Sequence, residues 1–343
     1  MSKLETHNVR SFEAQFDANA PLAQSALRDD SLQRTNLRER MQNSTREHLP
    51  PVHILEPGRT VKESVLLDGK ERQYFLHLPK DYDPAKSYPL IMVFNGYGNE
   101  KGQGGVAAGA EGMEPITGLS ERADEQNFIV AYMDGSPRSG HSWNNGNWFF
   151  SKEDDIKFTR GTMDAISAAA NVDQSRIYLT GYSEGGSFAH QAGIALADRV
   201  AAVATIGSWL NGHEKKPDEP ISVMEIHGGK DPVVPYKGGH FWLTMKSSDY
   251  LRNFYLKADG ITEGPVVTQL ATTDGASAFE ESWKNQGTGA EFDRITLPEA
   301  TMHKYFGGYG SPINSINTTD QFLAFFSRHG RDIAAPEAVV KQE

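Results

Sequence analysis

Ile177-Tyr178-Leu179-Thr180-Gly181-Tyr182-Ser183-Glu184-Gly185-Gly186-Ser187 sets a β-rich run against Gly-x-Ser-x-Gly, with a small-residue helical stretch running on to Ala197. A strand that turns straight into a helix strains its corner residue, and side chains two positions to either side would strike the neighbouring strand and helix. Glycine at 181 and 185 removes those side chains. The corner then lifts the Ser183 hydroxyl clear of the sheet, an arrangement called a nucleophile elbow. The helix starting near Glu184 aims its free N–H groups and positive dipole end at the same place. The Glu184 N–H is thus a candidate oxyanion donor. The plainer reading is a tight turn with an incidental serine, and it holds unless an acid and a histidine follow in the right order.

Upstream of the elbow, Thr60 to Leu67 and Gln73 to Leu78 flank Asp68-Gly69 and read as a β-hairpin. Tyr88 to Phe94 is apolar throughout, as a strand buried on both faces of a parallel sheet requires, and it ends in Asn95-Gly96-Tyr97-Gly98. Glycines there let the backbone pass close to a developing negative charge, which makes the Tyr97 N–H the candidate second oxyanion donor. Gly102 to Gly112 extends that loop. A helix over Leu119 to Gln126 and a strand over Phe128 to Tyr132 follow.

Residues 141–150, His-Ser-Trp-Asn-Asn-Gly-Asn-Trp-Phe-Phe, gather aromatics and amides in one loop. They suit a pocket for a sugar or an aromatic acyl group, with packing under the loop as the structural alternative. Asn95, Trp143 and Asn144 are the candidate substrate contacts. Asp154-Asp155 opens a helical pattern through Ala170, and both aspartates read as capping residues.

Downstream, Val200 to Ile206 and Ile221 to Ile226 are short apolar strands. The second leads into His227-Gly228-Gly229-Lys230-Asp231-Pro232-Val233-Val234-Pro235, which places Asp231 in a loop after a strand. A β segment near Pro265 to Leu270, a strand over Phe292 to Leu297 and a helix over Thr319 to His329 complete the pattern. Strands alternating with helices from residue 88 onward call for an α/β fold with a mostly parallel central sheet and helices on both faces. His303 lies between the last strand and the last helix. His240 is too close to Asp231 to belong to the next strand's loop, and His329 falls in the final turn of a helix, where a cation complements the dipole. Ser183, Asp231 and His303 therefore stand in the Ser-Asp-His order of this fold.

At 343 residues with 38% hydrophobic and 10% aromatic content, the chain has the composition of a soluble globular protein with a substantial core. No apolar run is long enough for a transmembrane helix. The absence of cysteine excludes disulfides, thiolate metal sites and a cysteine nucleophile. Net charge is −11; residues 1–50 hold seven basic and seven acidic side chains, so the surplus lies wholly in residues 51–343. An acidic body disfavours nucleic acid and anionic membrane as partners. No metal cluster or cofactor motif is present. Residues 1–50 are polar and read as a disordered extension, bounded by Pro50-Pro51 and Pro57-Gly58. Residues 51–331 form the expected catalytic domain and 332–343 a tail. The first residues lack the apolar core of a Sec signal, which favours the cytoplasm, with leaderless secretion or docking of a partner by residues 1–50 as alternatives.

From Tyr74 to His329 the chain resembles the polyhydroxybutyrate depolymerase-like, feruloyl and acetylxylan esterases, the carbohydrate esterase family 1 group of α/β hydrolases. The resemblance rests on Tyr88-Pro89-Leu90-Ile91, Ala123-Asp124-Glu125, Asp134-Gly135, Ser142-Trp143-Asn144, Asp155-Ile156-Lys157-Phe158, the elbow, and His227 to Pro235. It implies an α/β-hydrolase fold, a Ser183, Asp231, His303 triad, and hydrolysis without cofactor of esters in plant cell-wall polysaccharides or polyesters. The chain departs from the family at Asn95-Gly96, where His-Gly is usual, and at Thr301-Met302-His303, where Gly-Gly-His is frequent. The resulting expectation is a serine esterase forming an acyl-enzyme on feruloyl or acetyl esters of polysaccharides. A polyhydroxyalkanoate-type depolymerase and a non-catalytic binding protein on a hydrolase scaffold are the alternatives.

Overall fold

Successive side chains of a strand point to opposite faces, so a strand apolar at every position must be covered twice. In β3 (Tyr88–Phe94), Leu90, Met92 and Phe94 enter one core and Ile91 and Val93 the other. The computed structural model describes residues 55–98, 109–146, 150–240, 243–308, 311 and 315–332. The expected extension over 1–50, the segment from Gly102 to residue 108, Trp148, Trp242 and residues 333–343 lie outside them.

The elements in chain order are β1 (Thr60–Leu67), β2 (Lys70–His77), β3, α1 (Gly109–Thr117), α2 (Leu119–Gln126), β4 (Ile129–Met133), α3 (Asp155–Ala169), β5 (Val172–Tyr182) and α4 (Glu184–Ala195). Then come β6 (Ala202–Ile206), β7 (Ser222–Gly228), a small β8 (Gly239–His240) and β9 (Thr244–Met245) ladder, α5 (Ser248–Ala258), β10 (Val266–Gln269), β11 (Phe279–Lys284), β12 (Glu291–Leu297) and α6 (Thr318–Phe326). Ten strands form one sheet in the order β1-β2-β4-β3-β5-β6-β7-β12-β11-β10. Its six central strands, β4 to β12 in that order, are mutually parallel, and the remaining pairings at both edges are antiparallel. The first edge is the expected hairpin, with Asp68 and Gly69 both at positive φ and Leu67 opposite Lys70.

Helices α3, α4 and α5 cover one face through Phe158, Phe188 and Tyr255, while α1, α2 and α6 cover the other through Met113, Leu119 and Phe322. Burial of each such side chain contributes about 1.5–3 kcal/mol, so both helical layers are strongly anchored. Among the described residues no helix is long and apolar enough to cross a membrane.

Three local readings differ from expectation. Residues 109–112, expected as loop, open α1, whose Gly109, Gly112 and Pro115 disguise it in the sequence. Asp154 does cap α3, accepting from the Lys157 N–H at 3.0 Å, but Asp155 is buried and ion-paired to Arg72 at 2.7 Å. His329 lies beyond the end of α6, where burial pushes its imidazole down to about 4, leaving it neutral rather than a dipole-complementing cation.

The chain leaves β3 in one direction across the sheet, toward β4, and leaves β5 in the other, toward β6 and β7. The carboxyl ends of β3 and β5 therefore face each other at a topological switch point, where open α/β sheets place their ligands.

Candidate active site

Ser183 occupies the gap between β5 and α4 at φ 58° and ψ −125°. For a residue with a side chain such a conformation costs of order 1–3 kcal/mol and persists only where its surroundings dictate it. Here its N–H donates to Ile206 O and its carbonyl accepts from Ser187 N, both at 3.0 Å. A Cβ on Gly181 would lie 2.5 Å from the Gly185 carbonyl carbon, and one on Gly185 would lie 2.2 Å from Asn95 O. Alanine at either position would drive the elbow apart. The serine hydroxyl makes no cap to its own helix, so it stays available to a partner from elsewhere.

That partner is His303, whose Nε2 lies 2.8 Å from Ser183 Oγ. Its Nδ1 lies 2.7 Å from Asp231 Oδ2, while Asp231 Oδ1 accepts the backbone N–H groups of Val233 and Val234 at 2.8 and 2.9 Å. The three residues follow β5, β7 and β12, at the carboxyl ends of parallel strands. Burial works to raise the Asp231 carboxyl, but the hydrogen bonds from His303, Val234 and Val233 prevail and hold it below the usual carboxylate range. Ionised, it can only accept, which puts the His303 proton on Nδ1 and leaves Nε2 free to take the serine proton. Tyr182 secures the imidazole: its ring stacks on His303 at 5.0 Å and its hydroxyl donates to His303 O at 2.8 Å. Sequence reasoning overlooked Tyr182, whose only signal was an aromatic beside the serine.

The other expected residues divide into two groups. Glu184 is the first residue of α4, so its N–H is among the four that lack an acceptor within the helix. The Asn95 to Gly98 loop comes up against the serine: a Cβ on Gly96 would lie 3.3 Å from Ser183 Cβ. Tyr97 on that loop is half exposed, its ring 5.6 Å from Phe150.

Asn95, Trp143 and Asn144, by contrast, are engaged in contacts within the protein. Asn95 is buried; its Oδ1 accepts from Gly135 N, and its Nδ2 donates to Gly96 O and His141 O at 2.8 and 2.7 Å. One acceptor and two donors tie two loops together, a task a neutral imidazole with one of each could not complete. Trp143 is fully buried beneath the elbow, stacked on Phe188 at 4.9 Å and edge-on to Phe94 at 5.1 Å. Its indole N–H donates to Asn95 O and its backbone N–H to Glu184 Oε1. Asn144 is engaged through its N–H with Asp155 and through Nδ2 with Glu153 O. Among the described residues, the exposed large hydrophobic side chains on the loops that carry the second oxyanion candidate, Asp231 and His303 are Tyr97, Val233 and Met302, each about two-fifths to one-half exposed. Val233 and Met302 were not anticipated, because nothing in their type distinguishes them from core residues.

An acetyl xylan esterase from Aspergillus awamori superposes on 78% of this chain and 99% of its own with a TM-score of 0.53, at 11% identity. This is the α/β-hydrolase fold. A family model described as phospholipase/carboxylesterase matches residues 151–259 of this chain, from α3 through α5. A putative esterase NocK from Nocardia uniformis subsp. tsuyamanensis is 31% identical over 191 residues, covering 52% of this chain and 51% of the relative. Feruloyl esterase B from Piromyces equi is 31% identical over 174 residues, covering 49% and 31%. The chain thus spans about half or less of these two relatives, and its likeness is to the feruloyl and acetylxylan esterase group.

Proposed function

We propose that the protein is a serine carboxylic ester hydrolase whose substrates are feruloyl or acetyl esters attached to polysaccharides. The carrying observation is the unbroken hydrogen-bonded chain from the strained Ser183 through His303 to the ionised Asp231. In this reading Ser183 Oγ attacks the ester carbonyl while His303 Nε2 takes its proton, and the N–H groups of Glu184 and Tyr97 receive the oxyanion. His303 then returns the proton to the departing alcohol. Water, activated by the same imidazole, releases the acid from the acyl-enzyme. No cofactor enters. The names of the relatives support ester substrates, and the apolar rim of Tyr97, Val233 and Met302 suits the ring of a feruloyl group.

Purified protein should hydrolyse p-nitrophenyl acetate and methyl ferulate, and a fluorophosphonate probe should label Ser183. Ser183→Ala should lower turnover by at least about a thousandfold. Retained activity in that variant removes the proposed nucleophile. Faster release from hydroxybutyrate oligomers than from methyl ferulate or acetylated xylan turns the assignment to a polyester depolymerase, and absence of both labelling and turnover makes the chain a binding protein.

A further inference from the structure

Behind Asp231, away from the serine, lies a second histidine. Glu225 and His227 are alternate residues of β7, both fully buried, and Asp231 follows in the next loop. His227 Nε2 lies 2.9 Å from the carbonyl oxygen of Val234, which can only accept, so Nε2 carries a proton. Its Nδ1 lies 3.0 Å from Glu225 Oε1. The other oxygen of Glu225 accepts from the Ser248 hydroxyl at 2.7 Å, and Ser248 Oγ in turn faces Arg294 Nη1 at 3.4 Å. With a guanidinium behind it and a hydroxyl donating to it, Glu225 is a carboxylate. A carboxylate accepts, so Nδ1 carries a proton as well, and the donor count makes His227 an imidazolium. The energetic balance agrees. Burial opposes both charges, yet their mutual hydrogen bond leaves Glu225 below and His227 above its ordinary value.

We propose that His227 is a positioning residue of the hydrolase: a charged imidazolium that fixes the Asp231 loop through Val234 and sets its charge against a second cation at His303. The inference rests on the ester-hydrolase reading for its catalytic consequence. His227 Nε2 is 4.0 Å from Asp231 Oδ2, the same oxygen that accepts from His303. Asp231 is thereby shared between two imidazole rings. Part of its field is spent on His227, so it stabilises a cation at His303 less than an isolated carboxylate would. The groups facing His227 are few: Glu225 on its own strand, Asp231 and Val234 on the loop, the Tyr236 ring edge-on at 5.5 Å, Ser248 at the start of α5 and Arg294 on β12. Arg294 is itself paired to Asp249 and Glu281, so this second cation does not take Glu225 away from His227.

Glu225→Gln tests this with minimal change of shape, since the amide can donate to Nδ1 of a neutral His227 while Nε2–H still reaches Val234 O. The acid limb of kcat/KM for p-nitrophenyl acetate should move to higher pH by a few tenths of a unit, because the variant removes both charges of the pair and the cation is the one that lies 4.0 Å from Asp231. His227→Gln should move it the same way, and thermal melts monitor folding of both. A limb that stays in place in folded Glu225→Gln protein overturns the proposal, even if turnover falls. The charge itself is read without catalysis: 15N spectra of histidine-labelled protein should show both His227 ring nitrogens protonated at pH 7. A neutral His227 at pH 7 sinks the inference, whereas a doubly protonated His227 in a protein inert toward every ester leaves the charge standing and sinks the ester-hydrolase reading.

Discussion

Asp231 and Glu184 both serve the surroundings of the same serine, and each is more than nine-tenths buried, yet the fold moves their carboxyls in opposite directions. Asp231 receives two backbone N–H groups on one oxygen and the His303 imidazole on the other. Glu184 receives only the Trp143 N–H on Oε1, and its Oε2 has no hydrogen-bond partner among the described residues. Burial pushes both carboxyls up. At Asp231 the donors outweigh it, and at Glu184 they do not, so Glu184 rises well above the ordinary glutamate value with the Asp155 charge adding to the effect. The count of donors, not the depth of burial, decides the charge. Each state suits its place: a negative charge favours the cation that would form on His303, while a neutral Glu184 keeps an anion away from the N–H proposed to bind the oxyanion.

The largest break in this contrast is Asp231→Asn. Its carbonyl can still take the two backbone N–H groups, but its amide donates toward His303 Nδ1 and forces the proton to Nε2, facing the serine hydroxyl. Turnover of p-nitrophenyl acetate should fall by on the order of 10⁴ with the fold intact by circular dichroism. A loss of tenfold or less would mean that Asp231 does not set the tautomer.

Glu184 separates shape from charge. Glu184→Ala leaves the Trp143 N–H without its acceptor and a cavity under the elbow, which should cost about 2–4 kcal/mol in urea unfolding. Glu184→Gln keeps the acceptor and should fold normally. Because the folded carboxyl is raised, the folded state holds a proton that the unfolded state releases above the ordinary glutamate value, so this group costs the wild type stability as pH rises from there. Glu184→Gln carries no such proton. Its stability relative to wild type should be greater at pH 8 than at pH 5, and an equal difference at the two pH values would show that Glu184 is ionised in the fold.

The sequence made the elbow and the Ser183, Asp231, His303 order readable because each is a local matter: glycine spacing is steric, and loop positions follow from where apolar strands end. The central strands were readable for the same reason, since β4, β6 and β7 are buried at every position. Destinations of individual side chains were not. Trp143 sits in a stretch with no periodicity, and it is inside because Phe94, Phe158 and Phe188 arrive from three other elements to enclose it. β11 went unrecognised because Glu280, Glu281 and Ser282 interrupt its apolar positions, and only the pairing of Glu281 with Arg294 on the adjacent strand explains a charge there. The charge of His227 was equally hidden. Its sequence neighbours give no hint that Ser248 and Arg294 will close around its partner.

The same contrast recurs more weakly between two histidines. His227 and His190 are both enclosed, but the ring nitrogens of His190 meet hydroxyls, those of Tyr255, Ser208 and Thr205, at 3.0 to 3.2 Å. Burial pushes it down to about 4, against a smaller opposing pull from Glu225. Hydroxyls can donate or accept and therefore accommodate a neutral ring, whereas a carboxylate demands a charged one. With its folded value below the unfolded one, His190 takes up a proton on unfolding between those values, so stability is complete above about pH 6.5 and is lost as pH falls toward 4. The loss attributable to this ring is at most about 3 kcal/mol, at 1.36 kcal/mol per pH unit. His190→Gln cannot titrate. Compared by urea unfolding at pH 7 and pH 4.5, it should start less stable than wild type and close most of the gap at the lower pH, whereas parallel losses in the two proteins would show that His190 is already charged in the fold.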